Sequence, residues 1–323
     1  MNNKPRILLT RRWPADVEAY LTTRYKVTIR DPDLPMSRAE LIDGLRDHDA
    51  LCPTVTDPID AQLIATPQRR VRMIGNFGAG IQHIDAATCE AYGVCLTNTP
   101  DVLTEATANL AIMLILMVSR RAGEGERLLR AGEWKGWAPT DMLGSDLAGR
   151  NLGLIGFGRI GQAVALKASS AFGMNILWHG REPGRYVDPR LNARFVRHLD
   201  ALLAQADVVS LHVPGGSETH HLIDEARLAA MGGTSILINT ARGTVVDEAA
   251  LAEALRRRRI AGAGLDVFAN EPAVYPGLIG LENAVILPHL GSATRETRNA
   301  MGMRVATNLD AFFSGAIPPD KVC

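Results

Sequence analysis

Cysteine is scarce: Cys52, Cys89, Cys95 and Cys323 are the 4 present in 323 residues. They form no CxxC pair and no Cys/His cluster at zinc spacing. Neither a disulfide framework nor a metal site is therefore expected. So few thiols in so long a chain suit a reducing compartment. Excess charge of one sign is also missing, because 35 Lys+Arg face 35 Asp+Glu. Nucleic-acid binding over a broad surface needs a net basic face, and this balance argues against it. A local phosphate site remains open. Long hydrophobic runs are absent too. The longest is Leu110–Val118, against about 20 residues for a membrane helix. The opening MNNKPRILLT lacks the pattern of a secretory signal. A cytoplasmic protein without a membrane partner is the expectation. Aromatic residues make up only 5%, so their placement carries information.

What is present reads as a globular protein. Hydrophobic residues are 46% and charged residues 22%, which excludes disorder as the main state. The length suits two domains of about 150 residues each. Short apolar strand patterns at Arg6–Leu9, Lys26–Ile29, Ala50–Cys52, Val71–Ile74 and Val94–Thr97 alternate with helical stretches. Such alternation implies a parallel sheet with helices on both faces. The rhythm breaks at Asp101–Arg121, which reads as one long helix, apolar nearly all round and buried on most sides. Gly123–Gly149 reads as irregular and holds Trp134 and Trp137. Exposed tryptophan calls for a cover, and a partner subunit is the simplest one.

A second alternating series begins at Asn151–Ile155. Strands follow at Asn175–His179, near Phe195–Val196, and at Val208–Val213, Ser235–Asn239, Gly262–Val267 and Val285–Leu287. The last helix, near Thr294–Phe313, is long enough to return over the first sheet. The expected fold is α/β, with two Rossmann-like or flavodoxin-like parallel-sheet domains and the second inserted into the first.

The sharpest local motif is Gly156-Phe157-Gly158-Arg159-Ile160-Gly161, directly after the strand NLGLI and opening a helix. In that context the first glycine makes the turn and the second admits a pyrophosphate. The third lets helix and strand pack closely. The helix N-terminus then offers free N–H groups to phosphate. At the end of the next strand, NAD readers carry an acidic residue for the ribose. Here Gly180 and Arg181 stand there. They leave room for a 2′-phosphate and supply a bidentate donor, which favours NADP over NAD. Glu182, one position on, would be the acidic reader if the boundary shifted. Three further residues each follow an expected strand: Arg242 in NTARGTVVD, Glu271 in GLDVFANEP and His289 in LPHLGSAT. An arginine can grip a carboxylate, and a glutamate beside a histidine prepares it for proton transfer.

Taken together, GFGRIG, NTARGTVVD, GLDVFANEP and PHLGSAT resemble the D-isomer-specific 2-hydroxyacid dehydrogenase family, from about Ile7 to Val322. NFGAGIQHID, NTPDVLTEATANLA and FFSGAIPPDKV are similar to its glyoxylate/hydroxypyruvate reductase branch, and the GRxP segment to NADP-preferring members.

The resemblance implies that Arg242 grips the substrate carboxylate and carbonyl. His289 would protonate the carbonyl oxygen as hydride arrives from the nicotinamide, and Glu271 would keep His289 protonated. It places Asp266 near the nicotinamide, and Thr107, Val213, Pro214, Thr219, Thr240, Ala241 and Gly291 along the cofactor. Gly78, Ala79 and Gly80 become the loop that holds the substrate carboxylate through backbone N–H groups, with Val55 a pocket wall. It implies a substrate domain of 1–98 with 288–323 and a cofactor domain of 99–287, separated by a cleft. The crossings near Asn98–Asp101 and Leu287–Leu290 would be hinges. It also implies a homodimer through 101–145, with Trp137 reaching the neighbour. The partner is a small 2-ketoacid or 2-hydroxyacid. NAD-linked D-2-hydroxyacid or phosphoglycerate dehydrogenases, and a nucleotide-sensing corepressor-like scaffold, are the competing readings.

Overall fold

The computed structural model describes residues 4–181 and 187–323. Two compact units emerge: residues up to Leu103 with Ala293–Cys323, and Thr104–Ser292. The chain thus changes unit at 103/104 and 292/293, a few residues beyond the crossings expected near Asn98–Asp101 and Leu287–Leu290.

In the first unit, strands β1 (Arg6–Leu9), β2 (Lys26–Ile29), β3 (Ala50–Cys52), β4 (Met73–Gly75) and β5 (Cys95–Thr97) form a parallel sheet in the order β2-β1-β3-β4-β5. The central strands are buried on both faces, as crossover helices require. Helices α1 (Ala15–Arg24), α2 (Arg38–Asp47), α3 (Ala61–Ile64) and α4 (Ala86–Ala91) connect them. Their starts are written in the sequence. Ser37 and Glu40 form a reciprocal capping box on α2, while Asp60 and Asp85 cap α3 and α4. The strand expected at Val71–Ile74 begins two residues later. Val71 spends its N–H on the carbonyl of Leu45, outside the sheet, and Gly75 pairs with Thr97 instead.

In the second unit, helices α5 (Thr104–Ser119) and α6 (Ala122–Arg130) precede the sheet. Strands β6 (Asn151–Ile155), β7 (Asn175–His179), β8 (Ala193–Phe195), β9 (Val208–Leu211), β10 (Ile236–Asn239), β11 (Gly262–Leu265) and β12 (Ala284–Ile286) are all parallel. Their order is β12-β11-β10-β9-β6-β7-β8, so the winding reverses between β6 and β9. Ligands of open α/β sheets bind at that switch point. Helices α7 (Arg159–Phe172), α8 (Leu199–Leu203), α9 (Glu225–Ala230), α10 (Glu248–Arg256) and α11 (Pro276–Ile279) complete the unit. Apolar layers cover the sheet on both faces. Leu202, Val209 and Leu237 belong to one layer; Ala111, Leu154, Val164 and Ile238 belong to the other.

Around α5 and α6 the structure departs from the sequence pattern. The helix expected over Asp101–Arg121 starts at Thr104 and breaks at Arg121, whose φ is 52°. The segment expected to be irregular from Gly123 opens as helix α6. Two glycines, Gly123 and Gly125, lower its helical propensity and hid it from a reading by pattern. Helix α5 is also less enclosed than its composition suggests. Ala108, Ala111, Leu114 and Ile115 are buried, whereas Met113 stays 38% exposed. The chain returns to the first unit in α12 (Arg295–Phe313), capped by Thr294. Its Val305, Ala306 and Leu309 pack on Ile7, Leu9, Cys52 and Met73 of the first sheet.

Candidate active site

At the switch point of the second unit, β6 ends in Ile155 and the chain turns through Gly156, whose φ is 90°. A Cβ on Gly156 would stand 2.6 Å from the backbone of His212, and one on Gly161 would stand 2.4 Å from the oxygen of Gly156. These two glycines therefore let the loop and helix seat against β6 and β9. Gly158 differs, because a Cβ there meets nothing within 4 Å. It is the N-cap of α7 and offers no side-chain cap, so the first N–H groups of a long helix are left for an acceptor. Phe157 stacks on Trp178 at 4.8 Å, which fixes one wall. His212 lies behind the loop, and burial pushes its pKa down to about 4. It stays neutral and shares a 2.9 Å hydrogen bond with Ser210.

Other residues expected along a cofactor lie at the same edge of the sheet. Thr219 Oγ1 donates to the carbonyl of Pro214 at 2.7 Å, closing the turn that follows Val213. Thr240 Oγ1 is buried and has no partner among the described residues, while the Ala241 N–H donates to Asn239 Oδ1 at 3.0 Å. An uncapped helix N-terminus, an open glycine cradle and an orphaned hydroxyl fit a bound dinucleotide. Gly180 follows β7, and Arg181 pairs with Glu218 at 2.7 Å, both largely exposed. Glu182 and Arg185 lie outside the described residues.

Arg242, Glu271 and His289 follow β10, β11 and β12, three adjacent strands. His289 Nδ1 lies 2.7 Å from Glu271 Oε2. Glu271 Oε1 accepts the Phe268 N–H at 3.0 Å. Burial pushes the Glu271 pKa up, but the hydrogen bond to His289, the His289 charge, the Phe268 N–H and Arg242 together hold it below the ordinary value. Burial lowers the pKa of Arg242, and the Glu271 charge opposes this. An arginine remains charged under either influence. The Arg242 carbonyl accepts from Asn239 Nδ2 at 2.9 Å, so the strand end holds its backbone.

Several residues that pattern alone does not single out hold this trio. A Cβ on Gly243 would fall 1.9 Å from the carbonyl carbon of Phe268, so the Arg242 turn lies flat on the peptide leading to Glu271. Glu248, at the start of α10, accepts the Ala269 N–H at 2.8 Å and pins the other side of that peptide. His289 sits at φ 53°. The turn after it is clamped by Asp266, whose carboxylate accepts from Leu290 N at 2.6 Å and Gly291 N at 2.8 Å. Thr107 Oγ1 donates to Gly291 O at 3.2 Å. Burial pushes the Asp266 pKa up, against the lowering effect of the Leu290 N–H, the His289 charge and the Gly291 N–H. Asp266, Thr107 and Gly291 thus position the histidine turn. The polar residues Asn239 and Glu248 could have been suspected only from their places at a strand end and a helix start.

In the first unit, the Gly78–Gly80 loop follows β4. Asn76 Nδ2 donates to the oxygens of Gly78 and Gly80 at 3.0 and 2.9 Å. Asn98 Nδ2 donates to Ala79 O at 2.7 Å. Val55 is 43% exposed in the turn after β3. Among the described residues, no group of His, Cys, Asp and Glu could hold a metal ion, and no helix is long and apolar enough to cross a membrane.

A glycine turn at a switch point, with an arginine and a Glu–His pair along the same edge, is the arrangement expected of a nicotinamide-dependent oxidoreductase. The profile of the D-isomer specific 2-hydroxyacid dehydrogenase NAD binding domain matches residues 112–291. The chain is 44% identical to the glyoxylate reductase of Thermococcus onnurineus, over 99% of this chain and 96% of that one. It is 41% identical to the glyoxylate reductase of Pyrococcus furiosus, over 99% and 95%. Among solved structures, the NADPH-dependent glyoxylate/hydroxypyruvate reductase of Sinorhizobium meliloti, in complex with NADP and malonate, superposes with a TM-score of 0.87 at 35% identity. That superposition covers 99% of this chain and 97% of that one. The chain belongs to the D-isomer-specific 2-hydroxyacid dehydrogenase family and is an NAD(P)-dependent oxidoreductase acting on CH–OH groups.

Proposed function

We propose that this chain reduces glyoxylate and hydroxypyruvate to 2-hydroxyacids with NADPH, and that His289 gives the proton. The names of its relatives support the substrate class. The 2.7 Å contact between His289 Nδ1 and Glu271 Oε2 carries the proton assignment. A carboxylate only accepts, so Nδ1 holds its hydrogen and Nε2 is the nitrogen left to give or take a proton. The Arg242 guanidinium would grip the substrate carboxylate and carbonyl, and the N–H groups of Ala79 and Gly80 are suited to bind a carboxylate. Gly156–Gly161, Gly180, Arg181, Val213, Pro214, Thr219, Thr240, Ala241 and Gly291 would hold the dinucleotide, which supplies the hydride when bound.

NADPH is preferred over NADH in this reading because Gly180-Arg181 occupies the place of an acidic ribose reader. A 2′-phosphate would replace Glu218 as the partner of Arg181. The test is a 2-ketoacid panel assayed with both cofactors. NADPH is expected to give the higher kcat/KM, and R181A to lose about tenfold for NADPH while changing little for NADH. A higher kcat/KM with NADH throughout would remove the role of Arg181.

The chain is also proposed to work as a homodimer through 101–145. Ile112, Met113, Leu116 and Met117 line an apolar groove on α5. Leu129, Trp134, Trp137 and Leu143 are exposed nearby in sequence, Trp137 by 81%. So much exposed apolar surface calls for a partner.

A further inference from the structure

The substrate-carboxylate loop owes its shape to side chains that do not themselves point at substrate. Asn76, directly after β4, is fully buried. Such a side chain is tolerated only when its hydrogen bonds are met. Its Nδ2 reaches the carbonyls of both Gly78 and Gly80. Asn98 Nδ2 takes the carbonyl between them, and the Thr99 N–H adds a 3.0 Å bond to Gly78 O. Three successive carbonyls are therefore drawn away from the loop's other side. The N–H groups of Ala79 and Gly80 have no acceptor among the described residues. Consecutive free N–H groups with their carbonyls held back form an anion-binding nest.

The orientation of Asn76 is itself determined. To serve two carbonyls, the amide must turn its NH2 toward them, which leaves Oδ1 as an acceptor on the other side. His83 Nε2 lies 3.0 Å from that oxygen. His83 must therefore carry its hydrogen on Nε2. We propose that Asn76, oriented by His83, is the positioning residue that opens the Ala79–Gly80 nest to the carboxylate of a 2-ketoacid. This rests on the reading that the loop holds that carboxylate.

The test compares N76D, N76A, H83L and H83Q as full-length protein, using glyoxylate and NADPH. N76D keeps the shape but turns an acceptor toward two carbonyl oxygens. Its KM for glyoxylate is expected to rise about tenfold or more, the cost of leaving buried polar groups unpaired. N76A follows in the same direction. H83L raises KM, and H83Q, which keeps an N–H donor, restores it. The Kd for NADPH, measured by fluorescence, and kcat change less than threefold (about the scatter of such comparisons). A general structural role would instead move NADPH binding, kcat and KM together and leave H83Q no better than H83L. That result, or an unchanged KM in N76D, overturns the proposal. If wild-type protein reduces no 2-ketoacid, the functional reading has failed. The brace is then judged by the 15N spectrum of histidine-labelled protein. His83 as the Nε2–H tautomer, altered in N76A, supports it, and the Nδ1–H tautomer overturns it.

Discussion

Glu271 has two acceptor oxygens with different tasks. One holds the Phe268 N–H and the other holds His289. Its pKa is held below the ordinary carboxylate value, so ionised Glu271 stabilises the folded chain. That contribution is present in full above the unfolded carboxylate pKa and is lost as pH falls through the lower, folded value. E271Q is therefore expected to melt earlier than wild type at neutral pH, by about 1 kcal/mol or less in stability. The gap should close as the pH drops below the carboxylate range. Melting curves at stepped pH check this, and a gap that widened in acid would contradict it. The same substitution should lower kcat by about tenfold or more, because the imidazole loses its charged partner.

At the scale of elements, the site depends on how closely turns lie on one another. Gly243 is the contact between the Arg242 turn and the Glu271 loop. G243A is expected to cost roughly 1–3 kcal/mol of stability through overpacking, and to lower kcat/KM more than a surface glycine change such as G280A, whose Cβ meets nothing within 4 Å. Equal effects on activity from both would remove this reading. Much at this scale was legible in the sequence. Strands β1, β2, β3, β6 and β7 fall where the apolar runs stand, because each run is bounded by turn or capping residues. The start of α12 was marked by its Thr294 cap. Helix α6 was not legible, since Gly123 and Gly125 argue locally against a helix that the fold nonetheless forms. The pairing of Arg181 with Glu218 was also out of reach. It joins residues far apart in the chain, and only the sheet order sets such distances. The same holds for Asn76 and His83, whose meaning lies in the direction of one amide.

For the whole molecule, the zero net charge is a cancellation. Arginines proposed for anions, Arg181 and Arg242, are balanced by acidic residues that cap helices, such as Asp224 and Asp247. The open apolar face of α5 is the feature a lone chain leaves unexplained. L116D should convert a dimer to a monomer in sedimentation, and W137A should change KM or weaken the dimer. A monomeric wild type would contradict the oligomer proposed here. The central claim is that His289 delivers the proton to a 2-ketoacid. The most direct measurement is kcat for glyoxylate reduction by NADPH in H289A, with NADPH binding measured alongside. A loss of about 10²–10⁴-fold with NADPH affinity retained is expected. A loss smaller than about tenfold would contradict it.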